Sequence, residues 1–328
     1  MVERVAFVTG ATGFLGINLV TELKEAGWRV VTLHRPTSKL KFLKPLGVTL
    51  AEGSINDKDS LRRAMPEAPD AVFHVAANLS LEKKGDARQT RDNVEGTRNV
   101  IDVALEKHAR RFIHTSSVAA YGLQEATISE TLRSTALAAP INYSRTKFLA
   151  EEEVRAGVKR GLDAVILNPA NIIGPFDTHG WARIIRLVAT KKLPGVGSGG
   201  GAFCHVREVA KAHVAAVERG RTGENYLLGG VHASYREIAT IAASLTGGGA
   251  PRRAMPIWLI NVLGWILPLL SKLTGRPPDI TPEVALMLSL DFTVDSSKAE
   301  RELGYHQAPL REMIEDSCRW LKAEGLIP

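Results

Sequence analysis

Val5-Ala-Phe-Val-Thr-Gly10-Ala-Thr-Gly13-Phe-Leu-Gly16 decides how the rest of the chain is read. A short β-favouring apolar run ends in glycines at every third position, and Leu19, Val20 and Leu23 follow at helical spacing over 17–26. The pattern predicts strand, tight turn and helix. Small residues in such a turn let backbone approach a pyrophosphate, and the helix N-terminus adds unpaired N–H groups and the positive end of its dipole. Gly10, Thr12, Gly13, Phe14, Leu15 and Gly16 are the expected contacts.

Outward from this turn the alternation continues. Strands are expected at 29–33, 48–51, 71–76, 111–115 and 164–167, with helices around 60–64 and over 93–107 and 142–155. Repeated β-α-β units imply an α/β fold, a Rossmann-type doubly wound parallel sheet with helices on both faces. After Asn168 the texture changes to turn residues, a helix from Trp181 and a Gly-rich stretch at 194–201. A helix at 205–218 and a strand at 225–228 predict a return to the sheet. The expected division is a dinucleotide-binding domain at 1–167 with a return at 202–230, and a smaller, mostly helical substrate-binding subdomain at 168–201 and 231–328.

Composition agrees with a packed globular chain: 328 residues, 45% hydrophobic and 23% charged. Lys and Arg number 42 against 35 Asp and Glu, a formal charge of +7, but the basic residues are scattered pairs and do not suggest nucleic acid. Two cysteines are too few for a disulfide framework or a zinc cluster, so no metal is expected, and a reducing cytoplasm fits. The longest apolar segment, 257–270, is interrupted by Asn261, Gly264 and Pro268. It is expected to pack as an ordinary helix; the competing reading is a membrane-surface helix flanked by Arg252, Arg253 and Lys272.

Two further clusters carry chemistry. No acid stands at the end of the second strand, where one would bind the ribose hydroxyls of NAD; Arg35, Ser38 and Lys39 suit the ribose phosphate of NADP instead, with NAD as the secondary possibility. Tyr143-Ser-Arg-Thr-Lys147 places a phenol and an ammonium one helical turn apart. A neighbouring Lys⁺ is expected to lower the phenol's pKa and fit it for proton transfer. Ser116 and Ser117 stand at the carboxyl end of the 111–115 strand, where a hydroxyl can hold a carbonyl oxygen.

These motifs, with His74-Val-Ala-Ala77, Asn93-Val-Glu-Gly-Thr97, Thr115-Ser-Ser117, Asn168-Pro-Ala-Asn-Ile-Ile-Gly-Pro175 and Glu302-Leu-Gly-Tyr305, cover nearly the whole chain. Together they resemble the extended short-chain dehydrogenase/reductases of the NAD-dependent epimerase/dehydratase superfamily, and within them the dihydroflavonol-4-reductase-like branch. The resemblance implies Ser117 as the catalytic serine, with Ser116 its competitor, Tyr143 as acid/base and Lys147 as its partner, both also touching the cofactor. It places Ser54 and Ile55 at the adenine, Ala76 and Ala77 at the adenosine ribose, and Pro169 and Ile172 beside the nicotinamide. Asn93 matches a supporting asparagine, or caps its helix. Relatives suggest a homodimer through the helices bearing Asn93 and Tyr143.

The substrate residues expected are Leu79, Leu81, Val118, Tyr121, His179, Trp181 and Phe203, a mainly apolar set that points to an aromatic, alicyclic or long-chain ketone, aldehyde or alcohol. Gly201-Ala-Phe203 stands where sugar-nucleotide members carry a phosphate-gripping Arg. An NADP(H)-dependent oxidoreductase is therefore expected. A nucleotide-sugar epimerase is the first alternative, and a non-catalytic, NADP-binding redox sensor the second.

Overall fold

The alternation along the chain becomes one seven-stranded parallel sheet with helices on both faces. The computed structural model describes residues 3–81, 83–251, 253–274 and 281–328. Its elements in chain order are β1 (Val5–Thr9), α1 (Phe14–Glu25), β2 (Arg29–His34), β3 (Thr49–Glu52), α2 (Lys58–Ala64), β4 (Ala71–His74), α3 (Asp86–Thr90), α4 (Gly96–Glu106), β5 (Phe112–Thr115), β6 (Thr127–Ile128), α5 (Asn142–Lys159), β7 (Ala164–Pro169) and β8 (Asn171–Ile173). The second half adds α6 (Trp181–Ala189), β9 (Gly200–His205), α7 (Val206–Arg219), β10 (Asn225–Leu228), β11 (Val231–Ser234), α8 (Tyr235–Thr246), α9 (Ile257–Thr274), α10 (Pro282–Ser289), β12 (Thr293–Val294), α11 (Ser297–Leu303) and α12 (Leu310–Ala323).

The strand order is β10-β7-β5-β4-β1-β2-β3, and it reverses direction between β1 and β4. Because successive strand residues point to opposite faces, each strand feeds two cores. Ala6, Val8, Ile113 and Val165 pack under α1 and α7, whereas Phe7, Phe112, Ala164 and Ile166 pack under α4 and α5. A third core holds α6, α8 and α12 against a small sheet of order β11-β9-β8.

Four expectations need correction. The helix expected from Asn93 begins earlier, at Asp86, and passes through a π turn at Arg91–Glu95 before α4. Buried Asn93 sits in that turn, and its amide is held by Asn78 and Thr146, contacts that favour the extra residue. It is not a helix N-cap. The return to the large sheet starts at Val206, because residues 200–205 pair with β8 and β11 in the small sheet. The C-terminal region also returns: Ala299, Leu303 and Tyr305 lie in the core beneath α1 and α7, and the Tyr305 hydroxyl donates to Gly229 O at 2.7 Å.

The fourth correction concerns α9. Ile260 and Gly264 are buried, the latter against Ala285 of α10, but Ile257, Trp258, Val262, Trp265 and Ile266 are exposed. Among the described residues of this helix, packing covers one side.

Candidate active site

The site begins where the strand order reverses, since the loops leaving β1 and β4 diverge there and open a crevice. Gly10 adopts a left-handed conformation at φ 72°, and a Cβ on it would lie 2.5 Å from Ala76 N. A Cβ on Gly16 would lie 2.1 Å from Gly10 O. These contacts fold the loop tightly against the start of α1. Gly13, by contrast, is exposed, and no side chain caps the helix it precedes. The N–H groups of the first turn are therefore available to an anion, and the cradle fits a dinucleotide pyrophosphate.

The other cofactor candidates follow along the same carboxyl edge in sheet order. Ser54 and Ile55 come after β3, Arg35, Ser38 and Lys39 after β2, Ala76 and Ala77 after β4, and Pro169 closes β7, while the catalytic candidate Ser117 follows β5 on the same edge. Ile172 lies on β8, half-buried. Arg35 and Lys39 are exposed, and the Arg35 N–H donates to Ser38 Oγ at 3.1 Å, which fixes the turn that presents them. Ser54 Oγ accepts from Asn56 N at 3.2 Å.

At the carboxyl end of β4, His74 ties the crevice together. Its ring nitrogens lie 2.8 Å from Thr9 Oγ1 and 2.9 Å from Thr97 Oγ1, so one imidazole links β1, β4 and α4. Burial, with the Lys147 charge nearby, pushes its pKa down to about 3 and keeps it neutral. Asn93 performs a parallel task, accepting from Asn78 N at 2.7 Å and donating to Thr146 Oγ1 at 3.0 Å, one residue from Lys147.

Tyr143 and Lys147 lie at the start of α5, on one helix face. Tyr143 is half-buried; Lys147 is buried, and its Nζ donates to Thr115 O at 2.8 Å. That bond anchors the ammonium to the end of β5. The adjacent serines divide their work. Ser116 Oγ donates to Glu151 Oε1 at 2.6 Å in a buried contact, which withdraws it from the crevice. Ser117 remains partly open, accepting from Ala119 N at 3.1 Å. Ser117, not Ser116, is therefore the hydroxyl left for the crevice.

The electrostatics differ from the sequence expectation. Burial pushes the phenol up to about 12, with the Ser117 hydroxyl pulling the other way, and pushes Lys147 down to about 8, with Glu151 opposing. The ammonium is turned to Thr115 O and stands 6.0 Å from the Tyr143 ring centre, so desolvation outweighs its pull on the phenol. At neutral pH the phenol is protonated and the ammonium mostly so.

A profile of the NAD dependent epimerase/dehydratase family matches residues 6–229. The chain belongs to this family. A Synechocystis sp. protein provisionally named a dihydroflavonol 4-reductase is 33% identical over 98% of this chain and 95% of its own. Sterol demethylase protein B of Methylococcus capsulatus is also 33% identical, over 98% and 99%. Among solved structures, the crystal structure of gox2253 matches with a TM-score of 0.86 at 32% identity, covering 99% of this chain and 100% of that one.

Within this member of the NAD dependent epimerase/dehydratase family, the expected substrate residues separate. Leu81 lines a small cavity with Tyr143, Ser80, Asn142, Lys83 and Glu283, and the Lys83–Glu283 ion pair at 3.3 Å ties its rim to α10. Val118 and Tyr121 are buried in a cluster with Ile128 and Leu227. Leu79 and His179 are exposed. Trp181 is half-buried against Phe203 and Tyr235, with ring centres 4.8 and 5.3 Å away. Phe203 requires correction: it is fully buried, because its place on β9 turns it into the core under α6 and α8. It offers no face to a ligand.

Glu151 was missed by the sequence reading. Besides Ser116, it accepts from Asn168 Nδ2 at 2.6 Å, Arg155 at 3.0 Å and Asn225 Nδ2 at 3.0 Å, so it gathers β5, β7 and β10 around α5. Its signal was present, since Tyr143, Lys147 and Glu151 recur every fourth residue on one face.

Proposed function

We propose that the protein is an NADP(H)-dependent reductase or dehydrogenase that interconverts a carbonyl and an alcohol on a mainly apolar small molecule in the cytoplasm. The observation that carries the reading is a half-buried Ser117 hydroxyl just after β5 and a protonated Tyr143 phenol at the start of α5, on one helix face with Lys147, while Ser116 is held by Glu151. The relatives' names support it: one is named for the reduction of a dihydroflavonol and the other for the demethylation of a sterol, and neither name refers to a nucleotide sugar.

A bound nicotinamide dinucleotide supplies or accepts the hydride. The Gly10–Gly16 turn would hold its pyrophosphate, Arg35 and Lys39 the ribose phosphate, and Pro169 and Ile172 its nicotinamide end. Ser117 positions the carbonyl oxygen and Tyr143 donates the phenolic proton to it, so that charge does not build on oxygen. Lys147, fixed on Thr115 O, keeps a positive charge beside the phenol as it becomes phenolate. In the reverse direction Tyr143 accepts the alcohol proton.

Two measurements test the proposal. Purified protein offered ketones and nucleotide sugars should consume NADPH with apolar ketones; epimerisation of a nucleotide sugar without net NADPH loss would overturn it in favour of an epimerase. Arg35→Asp should lower the NADPH-over-NADH specificity ratio by about tenfold to a hundredfold, because it replaces a phosphate-pairing cation by an anion. An unchanged ratio would remove Arg35 from the account.

A further inference from the structure

We propose that the outer face of α9 docks on an anionic membrane surface. The face is built from Ile257, Trp258, Val262, Trp265 and Ile266, which fall on one side of the helix at successive turns. Trp258 and Trp265 are 67% and 70% exposed, and the one polar residue among them is the uncharged Asn261. The opposite side is occupied: Ile260 is fully buried and Gly264 seats on Ala285 and Thr281 of the α10 start. The protein thus covers the inner side of α9 and leaves a contiguous apolar strip outside. Such strips mark interaction surfaces, and tryptophan suits the boundary between headgroups and acyl chains.

Charge selects the occupant. The loop entering α9 lies along residues 188–196, with Met255 N donating to Val196 O at 2.8 Å, Gly249 N to Val188 O at 3.0 Å and Lys191 lining a groove with Pro251. Exposed Arg253, Lys191 and Lys192 therefore gather on the segments that meet at the N-terminal end of the helix, itself the positive end of the helix dipole. Cations beside a Trp-bearing apolar face complement anionic headgroups over an acyl interior. They oppose the other simple occupant, a second copy of this chain, since each copy carries a formal +7 and the same rim. Among the described residues no helix is long and apolar enough to cross a membrane, so the contact lies in the interface. Through α10 the same helical pair reaches the cavity at Tyr143, whose wall includes Glu283.

The full-length protein should sediment with vesicles of phosphatidylcholine and phosphatidylglycerol (about 7:3) and bind phosphatidylcholine alone much more weakly. Trp258→Ser combined with Trp265→Ser should lower the partition coefficient by about tenfold or more, and Arg253→Glu by about fivefold at low salt. Both variants should keep the wild-type melting temperature, since the replaced side chains are exposed. Equal recovery in the supernatant with and without anionic vesicles overturns the proposal. So does vesicle binding that the tryptophan variant retains, or a dimer in solution that this variant dissociates. None of these readouts depends on turnover, so they stand or fall apart from the reductase reading.

Discussion

Tyr143→Phe should lower kcat for carbonyl reduction by about 10²–10⁴-fold while dinucleotide affinity stays within about threefold of wild type. The phenol is partly open and held protonated at neutral pH, pushed up to about 12 by burial. Removing its hydroxyl leaves Ser117 able to hold an oxygen that nothing protonates. The pH profile gives an independent reading. Burial pushes Lys147 down to about 8, so kcat/KM for reduction should fall above that pH as the ammonium loses its proton and its charge beside the nascent phenolate. Lys147→Met should be slow throughout and lose this alkaline limb. A Tyr143→Phe protein that keeps kcat within about tenfold of wild type would show that the proton comes from elsewhere, and cellular function preserved in it would favour the redox-sensor alternative.

Gly16→Ala should cost both stability and cofactor affinity. The added Cβ would sit 2.1 Å from Gly10 O and 2.7 Å from Ala11 Cα, and both obstacles are backbone. Either α1 moves away from the β1 loop or the loop opens, and each movement scatters the N–H groups that cradle an anion. The expected losses are about 2–3 kcal/mol of stability, a fall in melting temperature of about 5–10 °C, and about 10²-fold or more in NADP(H) affinity. Gly13→Ala is the graded control, since its Cβ would meet only Gly10 O, at 3.3 Å. Calorimetry and fluorescence titration on the two variants measure these effects. Equal, near-wild-type affinities would mean that this turn does not bind the pyrophosphate.

The features legible in the sequence are those encoded by local pattern. The β1 run, the glycine turn and the apolar repeat of α1 lie within a short stretch, and the Tyr143/Lys147 spacing needs only the pitch of one helix. Whatever depends on a distant partner was not legible. Ser116 and Ser117 are equivalent as letters, and only Glu151, arriving from α5, separates them. The sign of the Tyr143 shift depends on how much water α5 excludes, which spacing does not report. Phe203 has the composition of a substrate residue, but its register with Val231 and Asn171 turns it into the core. For α9, an apolar sequence shows what could be buried, while the covering by α10 determines which side is.

The return of α11 bears on how the chain acquires its fold. The core under α1 and α7 joins Trp28 to Ala299, Leu303 and Tyr305, and the Tyr305 hydroxyl closes on Gly229 O. Contacts at such separation in sequence carry a large loop-closure cost and form late. During synthesis the nucleotide-binding half must wait, with part of its apolar interior uncovered, until residues beyond 305 have left the ribosome. Its cooperative unfolding unit accordingly includes the C-terminal segment, and a chain cut before α11 exposes the wall that Ala299 and Leu303 cover.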